Sequence, residues 1–374
     1  MNILLKKQGL KVLNKLNLSE HVFINRVRFD YALLERMKKD GYMPLPKRAK
    51  WETTMLCNLR CVMCHQTERR EEAMKSGAKQ INKEEMLKIV DNLYSAGVEK
   101  ILFKGGEIFV RRDFFDVLDY VQEKEMGVNM ITNGVLINEE IANKLKNYKN
   151  IEAITFSLDG LRETHDRIRK MQGAFDKTVN AIKMLKGGNY FLNIACVIMA
   201  HNLEETKGLV ELGVELGVDA MTFTMEMFYS TREIEDSKMI VSGEIYQQRS
   251  ERESYEYSYE RMKEAVDYLK SQRHRIFINI QPKILREHER EFFEGTLLQN
   301  KIPLGCDTFF ELNINEHGEM VVCPFVKEGY ANLVDRDLKE AWNCKEMREI
   351  RMSIMKGAGM MPICMRCCKL DNTD

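Results

Sequence analysis

Residues 51–64 read Trp51-Glu52-Thr53-Thr54-Met55-Leu56-Cys57-Asn58-Leu59-Arg60-Cys61-Val62-Met63-Cys64, and this stretch decides how the chain is read. A β-rich run over 51–56 leads into a loop with three cysteines spaced C-x3-C-x2-C. Three thiols on one loop can converge on one metal centre, yet they are one short of a closed four-cysteine site. The missing ligand leaves a coordination position open to a substrate or cofactor. Two plainer readings stand beside this one: three reduced thiols without metal, or three zinc ligands completed by His65.

Outward from this loop the pattern alternates. Further β-rich runs occur at 100–104, 127–132, 151–157, 191–199 and 219–224. Amphipathic helical stretches lie near 83–96, 113–125, 138–146, 174–186 and 202–216. Strict alternation implies parallel βαβ units. Six strands are fewer than a closed eight-fold barrel needs, so a partial barrel and a doubly wound sheet both fit. In either, a ligand belongs at the C-terminal ends of the strands.

Composition narrows the class. The 374 residues hold 57 basic and 57 acidic side chains, so net charge gives no drive to bind nucleic acid. No apolar run is long enough for a bilayer, which predicts no stable membrane insertion. The N-terminus lacks a secretory pattern, which predicts a cytoplasmic protein with reduced thiols. Residues 1–50 carry twelve Lys/Arg against four Asp/Glu. Within them Leu5, Val12, Leu13 and Leu16 share one helical face, with Lys7, Lys11 and Lys15 on another. That pattern suits a docked surface helix, or a basic helix touching a membrane surface or acidic partner.

Six of the ten cysteines fall after Gly305. Cys306 is followed by eleven residues, Gly318, four residues and Cys323; Cys344 and Cys364-Met365-Arg366-Cys367-Cys368 come later. Two cysteines around a glycine-turned hairpin plus a distant C-x2-C make a four-thiolate cage. Zinc and an iron–sulfur cluster both accept one, and spacing alone does not choose.

The loop at Cys57, Cys61 and Cys64 resembles the signature of the radical S-adenosylmethionine (SAM) superfamily. The resemblance implies a partial (β/α)6 TIM-like barrel over 51–224. It implies that these cysteines hold a [4Fe–4S] cluster whose open iron chelates SAM. One electron then cleaves SAM to methionine and a 5′-deoxyadenosyl radical, which abstracts hydrogen from a substrate. Lys104-Gly105-Gly106-Glu107 resembles the family's Gly-Gly-Glu-Pro motif, with Ile108 in place of proline. By that likeness Gly105, Gly106 and Glu107 bind the SAM amino group. Ser157-Leu158-Asp159-Gly160, with His165-Asp166 and Arg169, resembles the family's fourth-strand segment, so Ser157 contacts SAM and Arg169 pairs with its carboxylate. Thr132-Asn133-Gly134 ends the third strand, as a turn or as part of the site.

The C-terminal cysteines resemble the SPASM/twitch extension of this superfamily. That implies a domain over 305–374 with one auxiliary [4Fe–4S] cluster on Cys306, Cys323, Cys364 and Cys367, and Cys344 and Cys368 as substitutes. Cys196 reads as a core residue, or as a thiol that returns hydrogen to a substrate radical in an epimerase. Residues 225–304 read as a helical linker containing Tyr255, Tyr257 and Tyr259. Tyr229, Glu226 and the arginines around Arg286 are its specificity candidates.

The expected enzyme abstracts hydrogen from an organic substrate, with oxidation, epimerisation or cross-linking as the outcome. A small biosynthetic intermediate such as a sugar or aminocyclitol is favoured, because 50 residues look too short for a winged-helix peptide-recognition domain. The alternatives are a peptide-modifying enzyme of natural-product maturation and a non-catalytic iron–sulfur scaffold or electron carrier. A flavodoxin or ferredoxin is the implied electron donor.

Overall fold

A computed structural model describes residues 31–64, 66–67, 70–71, 75, 80–227, 229–241, 245, 258–297, 305–306, 309–355 and 361–371. The helix expected in 1–18, His65, Tyr255 and Tyr257 lie outside the described residues. Strands β1 (Arg48–Glu52), β2 (Lys100–Lys104), β3 (Gly127–Thr132), β4 (Ile151–Ser157), β5 (Phe191–Ile198) and β6 (Ala220–Met225) are parallel neighbours in chain order. The helices Lys83–Ser95, Phe114–Glu123, Glu139–Asn147, Ala174–Leu185 and Thr206–Leu216 connect them, with the short helix Arg162–Arg169 after β4.

The expected alternation is present, with three differences. First, β1 begins before Trp51 and ends at Glu52. Thr53 then donates its N–H to Lys104 O at 2.9 Å, and Leu56 N–H turns back to Thr54 Oγ1 at 3.0 Å. Second, 225–304 is not helical throughout. After the helices Thr231–Val241 and Tyr259–Ser271, β7 (Phe277–Gln281) adds a seventh parallel strand beside β6. Its apolar alternation at Ile276, Ile278 and Ile280 is short but regular. Third, the C-terminal cysteine region continues the main sheet. β9 (Leu312–Ile314) pairs parallel to β1, and β10 (Glu319–Val321) and β11 (Ala331–Asn332) follow antiparallel. This hairpin covers what would otherwise be an exposed edge at β1. The order β11-β10-β9-β1-β2-β3-β4-β5-β6-β7 has two ends, so the barrel is partial and open. A separate pair, β8 (Gly305–Cys306) with β12 (Leu370–Asp371), brings the last cysteines back to Cys306.

Strand periodicity separates two faces. Trp51, Ile101, Phe103, Met130, Ile154, Phe156, Ile194, Phe223 and Ile278 are fully buried against the helices. Each such side chain contributes roughly 1.5–3 kcal/mol of transfer free energy, which fixes the helical layer. The opposite face is polar and half-buried. It carries Lys104 paired to Glu52 at 3.0 Å, Lys100 paired to Glu152, and Asn193 joined to Thr155 at 3.3 Å and Thr222 at 3.4 Å. Among the described residues no helix is long and apolar enough to cross a membrane.

Candidate active site

A cavity of about 230 Å³ opens at the C-terminal ends of β1 to β5, on the polar face. Cys57, Cys61 and Cys64 line one wall; Gly105, Gly106, Ser157 and Arg169 line the rest, with Lys104, Asn133 and Val197. The topology thus brings together residues separated by more than a hundred positions, as the motif spacing predicts.

The two glycines act first on the cysteine loop. Gly106 N–H donates to Thr54 O at 2.7 Å, and Glu107 N–H to Leu56 O at 2.8 Å. Gly105 has φ +142°, and a Cβ there would stand 2.5 Å from Thr54 O. At Gly106 it would stand 2.2 Å from Leu56 O. Only glycine permits this approach, so the strip after β2 extends the β1–β2 pairing and holds the loop leading to Cys57.

Glu107 is 2% exposed and does not line the cavity. Its carboxylate accepts Thr132 Oγ1–H and Asn133 N–H, both at 2.7 Å, and Phe109 N–H at 3.3 Å. Burial pushes its pKa up, and these three donors oppose the shift. It therefore shapes the turn after β3, where the resemblance had placed it on SAM. That turn is part of the site. Asn133 Nδ2 donates to Asn58 Oδ1 at 2.8 Å and lies 3.9 Å from Cys57 Sγ.

Arg169 reaches the cavity from the helix Arg162–Arg169. Burial opposes its charge, but Asp159 and Cys61 outweigh burial and keep it protonated. It forms an ion pair with the fully buried Asp159, and its Nη1 donates to Cys61 Sγ at 3.5 Å. Asp159 also accepts Val197 N–H at 2.8 Å and donates its own N–H to His165 Nδ1 at 3.1 Å. Burial first, and Arg169 second, push His165 down to about 3, so its ring is neutral and acts as an acceptor. Ser157 stands on the wall beside this network.

Cys196 does not fit the hydrogen-donor reading. It sits one residue from Val197, so the strand pleat turns its thiol to the helix side while Val197 faces the cavity. It is 1% exposed, with Asn202 Nδ2 3.7 Å from its sulfur. Burial pushes its pKa well up. Cys196 is a core residue.

The second group forms around the β8–β12 pair. Cys364 lies within electrostatic reach of Cys306 and Cys323, and Cys367 within reach of Cys306, Cys364 and Cys368. The expected four are thus together, and Cys368 joins them. Cys344 does not: it caps the helix Lys345–Met355, accepting Arg348 N–H at 3.0 Å, and its thiol engages Glu346. Tyr229 stands edge-on to Phe325 at 6.0 Å, donates its hydroxyl to Met227 Sδ at 3.3 Å, and lies within electrostatic reach of Cys367, Cys368, Cys323 and Cys364. Glu226 is buried after β6 and Arg286 is exposed; neither lines the cavity.

Both groups suit clustered thiolates. Backbone N–H groups aim at sulfur, from Leu59 to Cys57 at 3.4 Å and from Lys369 to Cys367 at 3.4 Å. Others run from Gln66 to Cys64 and from Phe325 to Cys323. Such donors stabilise negative sulfur. Without metal, burial holds Cys57 and Cys323 as thiols, each pushed up to about 11. Among the described residues, no three His, Cys, Asp or Glu side chains gather closely enough for a single ion.

Residues 51–213 match the radical SAM superfamily, and residues 306–368 match the SPASM iron–sulfur cluster-binding domain. The antilisterial bacteriocin subtilosin biosynthesis protein AlbA of Bacillus subtilis (strain 168) is 33% identical over 181 residues, 48% of this chain and 39% of AlbA. An AdoMet-dependent heme synthase of Methanosarcina barkeri (strain Fusaro / DSM 804) is 33% identical over 176 residues, 47% of this chain and 49% of that protein. The chain thus spans about half, or less, of the length of these curated relatives. Streptococcus suis SuiB bound to precursor peptide SuiA shares the fold with a TM-score of 0.62 at 16% identity, covering 91% of this chain and 78% of that one. A radical SAM core works with a [4Fe–4S] cluster and SAM, and a SPASM domain binds auxiliary iron–sulfur. Residues 51–213, with the cysteine loop and the Gly105-Gly106-Glu107 segment inside them, are thus similar to the radical SAM superfamily, and residues 306–368 are similar to the SPASM iron–sulfur cluster-binding domain.

Proposed function

We propose that this chain is a peptide-modifying radical SAM enzyme. One observation carries the catalytic part: Cys57, Cys61 and Cys64 share a single cavity with Gly105, Gly106, Ser157 and Arg169. A scaffold or electron carrier has no use for that constellation. When bound, the cluster and SAM supply a one-electron cleavage that delivers a 5′-deoxyadenosyl radical to a substrate C–H bond. The chain's own residues do the rest. Cys57, Cys61 and Cys64 hold the cluster, and the amides of Leu59 and Gln66 support its sulfurs. Gly105 and Gly106 let backbone approach the cofactor. Ser157 offers a hydroxyl, and Arg169 a cation whose direction Asp159 fixes. Cys306, Cys323, Cys364 and Cys367 hold the auxiliary cluster, with Cys368 as the nearby substitute. A flavodoxin- or ferredoxin-type donor supplies the electron.

The substrate class rests on AlbA, a bacteriocin biosynthesis protein, and on the polar face of the sheet. Cross-strand pairs of Lys, Glu, Asn and Thr suit the amides and side chains of a peptide. This replaces the small sugar-like substrate favoured by sequence alone. A second reading, a tetrapyrrole substrate, is favoured by the heme synthase similarity; the same polar face speaks against a large apolar macrocycle. The test is anaerobic incubation of the reconstituted protein with SAM, dithionite and peptides encoded beside its gene, followed by mass spectrometry. A SAM-dependent mass change on a peptide supports the proposal. Turnover of an iron porphyrin with every peptide inert rejects it.

A further inference from the structure

Arg70 lies thirteen residues beyond Cys57, and no motif accounts for it. It is only 6% exposed and lines the cavity beside the three cysteines. Its Nη1 donates to Cys57 O at 3.2 Å and to Leu59 O at 2.9 Å. This clamp on the cysteine loop fixes the guanidinium plane. Its Nη2 is buried and has no hydrogen-bond partner, and among the described residues no carboxylate pairs with it. The other cations on the wall each have a carboxylate: Lys104 pairs with Glu52, and Arg169 pairs with Asp159 and donates to Cys61, with its Nε left unpartnered.

A buried cationic donor without an acceptor is costly, and in a folded protein it calls for an explanation. The cavity supplies one if it takes SAM, the reading proposed above on which this inference rests. SAM carries an ammonium and a sulfonium, which a guanidinium repels, and ribose hydroxyls and adenine, which are neutral. Its single anionic group is the methionyl carboxylate, the natural partner of a guanidinium. We propose that Arg70 is a SAM-binding residue: Nη2 donates to the methionyl carboxylate while Nη1 keeps its grip on the cysteine loop.

The test compares SAM with decarboxylated SAM, which keeps the nucleoside and sulfonium but lacks the carboxylate. Binding to the whole cluster-loaded chain is measured anaerobically by equilibrium dialysis, and by perturbation of the reduced cluster's EPR signal. Arg70→Gln should weaken SAM roughly tenfold or more, the usual scale for losing a charge-assisted hydrogen bond. It should weaken decarboxylated SAM less than about twofold, with iron per chain unchanged. Equal weakening of both ligands, or of neither, overturns the proposal. If Arg70→Gln loses iron, Arg70→Lys carries the test. It keeps the charge, but its compact ammonium lacks the planar fork that reaches the loop carbonyls and the carboxylate at once, so the same selective loss is expected. Iron loss in both variants makes Arg70 a loop clamp only and also overturns the proposal. Wild-type protein that binds no SAM defeats the reading of the site itself; wild type that binds SAM beside indifferent variants defeats this inference alone.

Discussion

Glu107 Oε2 accepts the backbone N–H of Asn133 at 2.7 Å, and through it the loop after β2 is tied to the turn after β3. Asn133 in turn holds Asn58 and approaches Cys57. A buried acceptor serving three donors is therefore one step from the cluster loop. Glu107→Gln puts an NH2 opposite those donors and should cost about 1–3 kcal/mol of stability. The shift in urea midpoint of the metal-free protein reads this cost. An unchanged midpoint would show that Glu107 acts on ligand alone.

The closeness of Gly106 to Leu56 O makes a second prediction. Gly106→Ala places a methyl 2.2 Å from that carbonyl, so the cysteine loop must move. Overpacking of this kind costs roughly 1–3 kcal/mol. Iron and sulfide retained at the Cys57 site should fall well below wild type, while the C-terminal group stays loaded. Equal iron at both sites in the variant would contradict the propping role.

Cys196 gives a prediction in the opposite sense. Its thiol packs on the helix side of β5, so Cys196→Ala should leave product yield and SAM cleavage within about twofold of wild type. The lost core sulfur should cost about 1 kcal/mol, a usual value for such a change. A variant that consumes substrate but fails to return hydrogen would restore the donor role.

His165 sets a pH dependence. Its pKa in the folded chain is about 3, against about 6.5 when unfolded. Between those values the unfolded chain binds a proton that the folded chain does not, so stability falls as pH drops through 6.5. From pH 7 to pH 5 the loss from this group is about 2 kcal/mol. His165→Asn keeps an acceptor for Asp159 N–H and removes the titration, so its urea midpoint should vary less over the same range. Parallel pH slopes for variant and wild type would refute this assignment.

Much of the site was legible because it is written in local spacing. The cysteine loop, Gly105-Gly106, Ser157 and Arg169 each follow a strand end, and a parallel sheet gathers strand ends at one place. Cys196 stays open in the sequence between a core residue and a hydrogen-donating thiol; its parity against Val197, which lines the cavity, turns it to the core. Contacts between distant segments were not. Nothing near Arg70 marks its grip on Cys57, and Asn133 meets Asn58 across 75 positions. Cys368 and Cys344 look equivalent as spare thiols, and only the β8–β12 pairing separates them. β9 escaped because a run of three residues carries little periodic signal, and β7, although as long as β2 and regular in its alternation, because it sits inside a charged stretch that reads as a helical linker. Glu107 was read as a ligand group because a carboxylate after two glycines resembles one; its place behind the cavity wall depends on Thr132 and Asn133.

The central claim is that Cys57, Cys61 and Cys64 support reductive cleavage of SAM. The most direct measurement is 5′-deoxyadenosine formed anaerobically by the reconstituted protein with dithionite and SAM, beside the Cys57→Ala/Cys61→Ala/Cys64→Ala variant. The account predicts reductant-dependent product from the wild type and none from the variant, which still retains iron at its C-terminal cysteines. Product from the variant, or none from a fully iron-loaded wild type given its peptide, would contradict it.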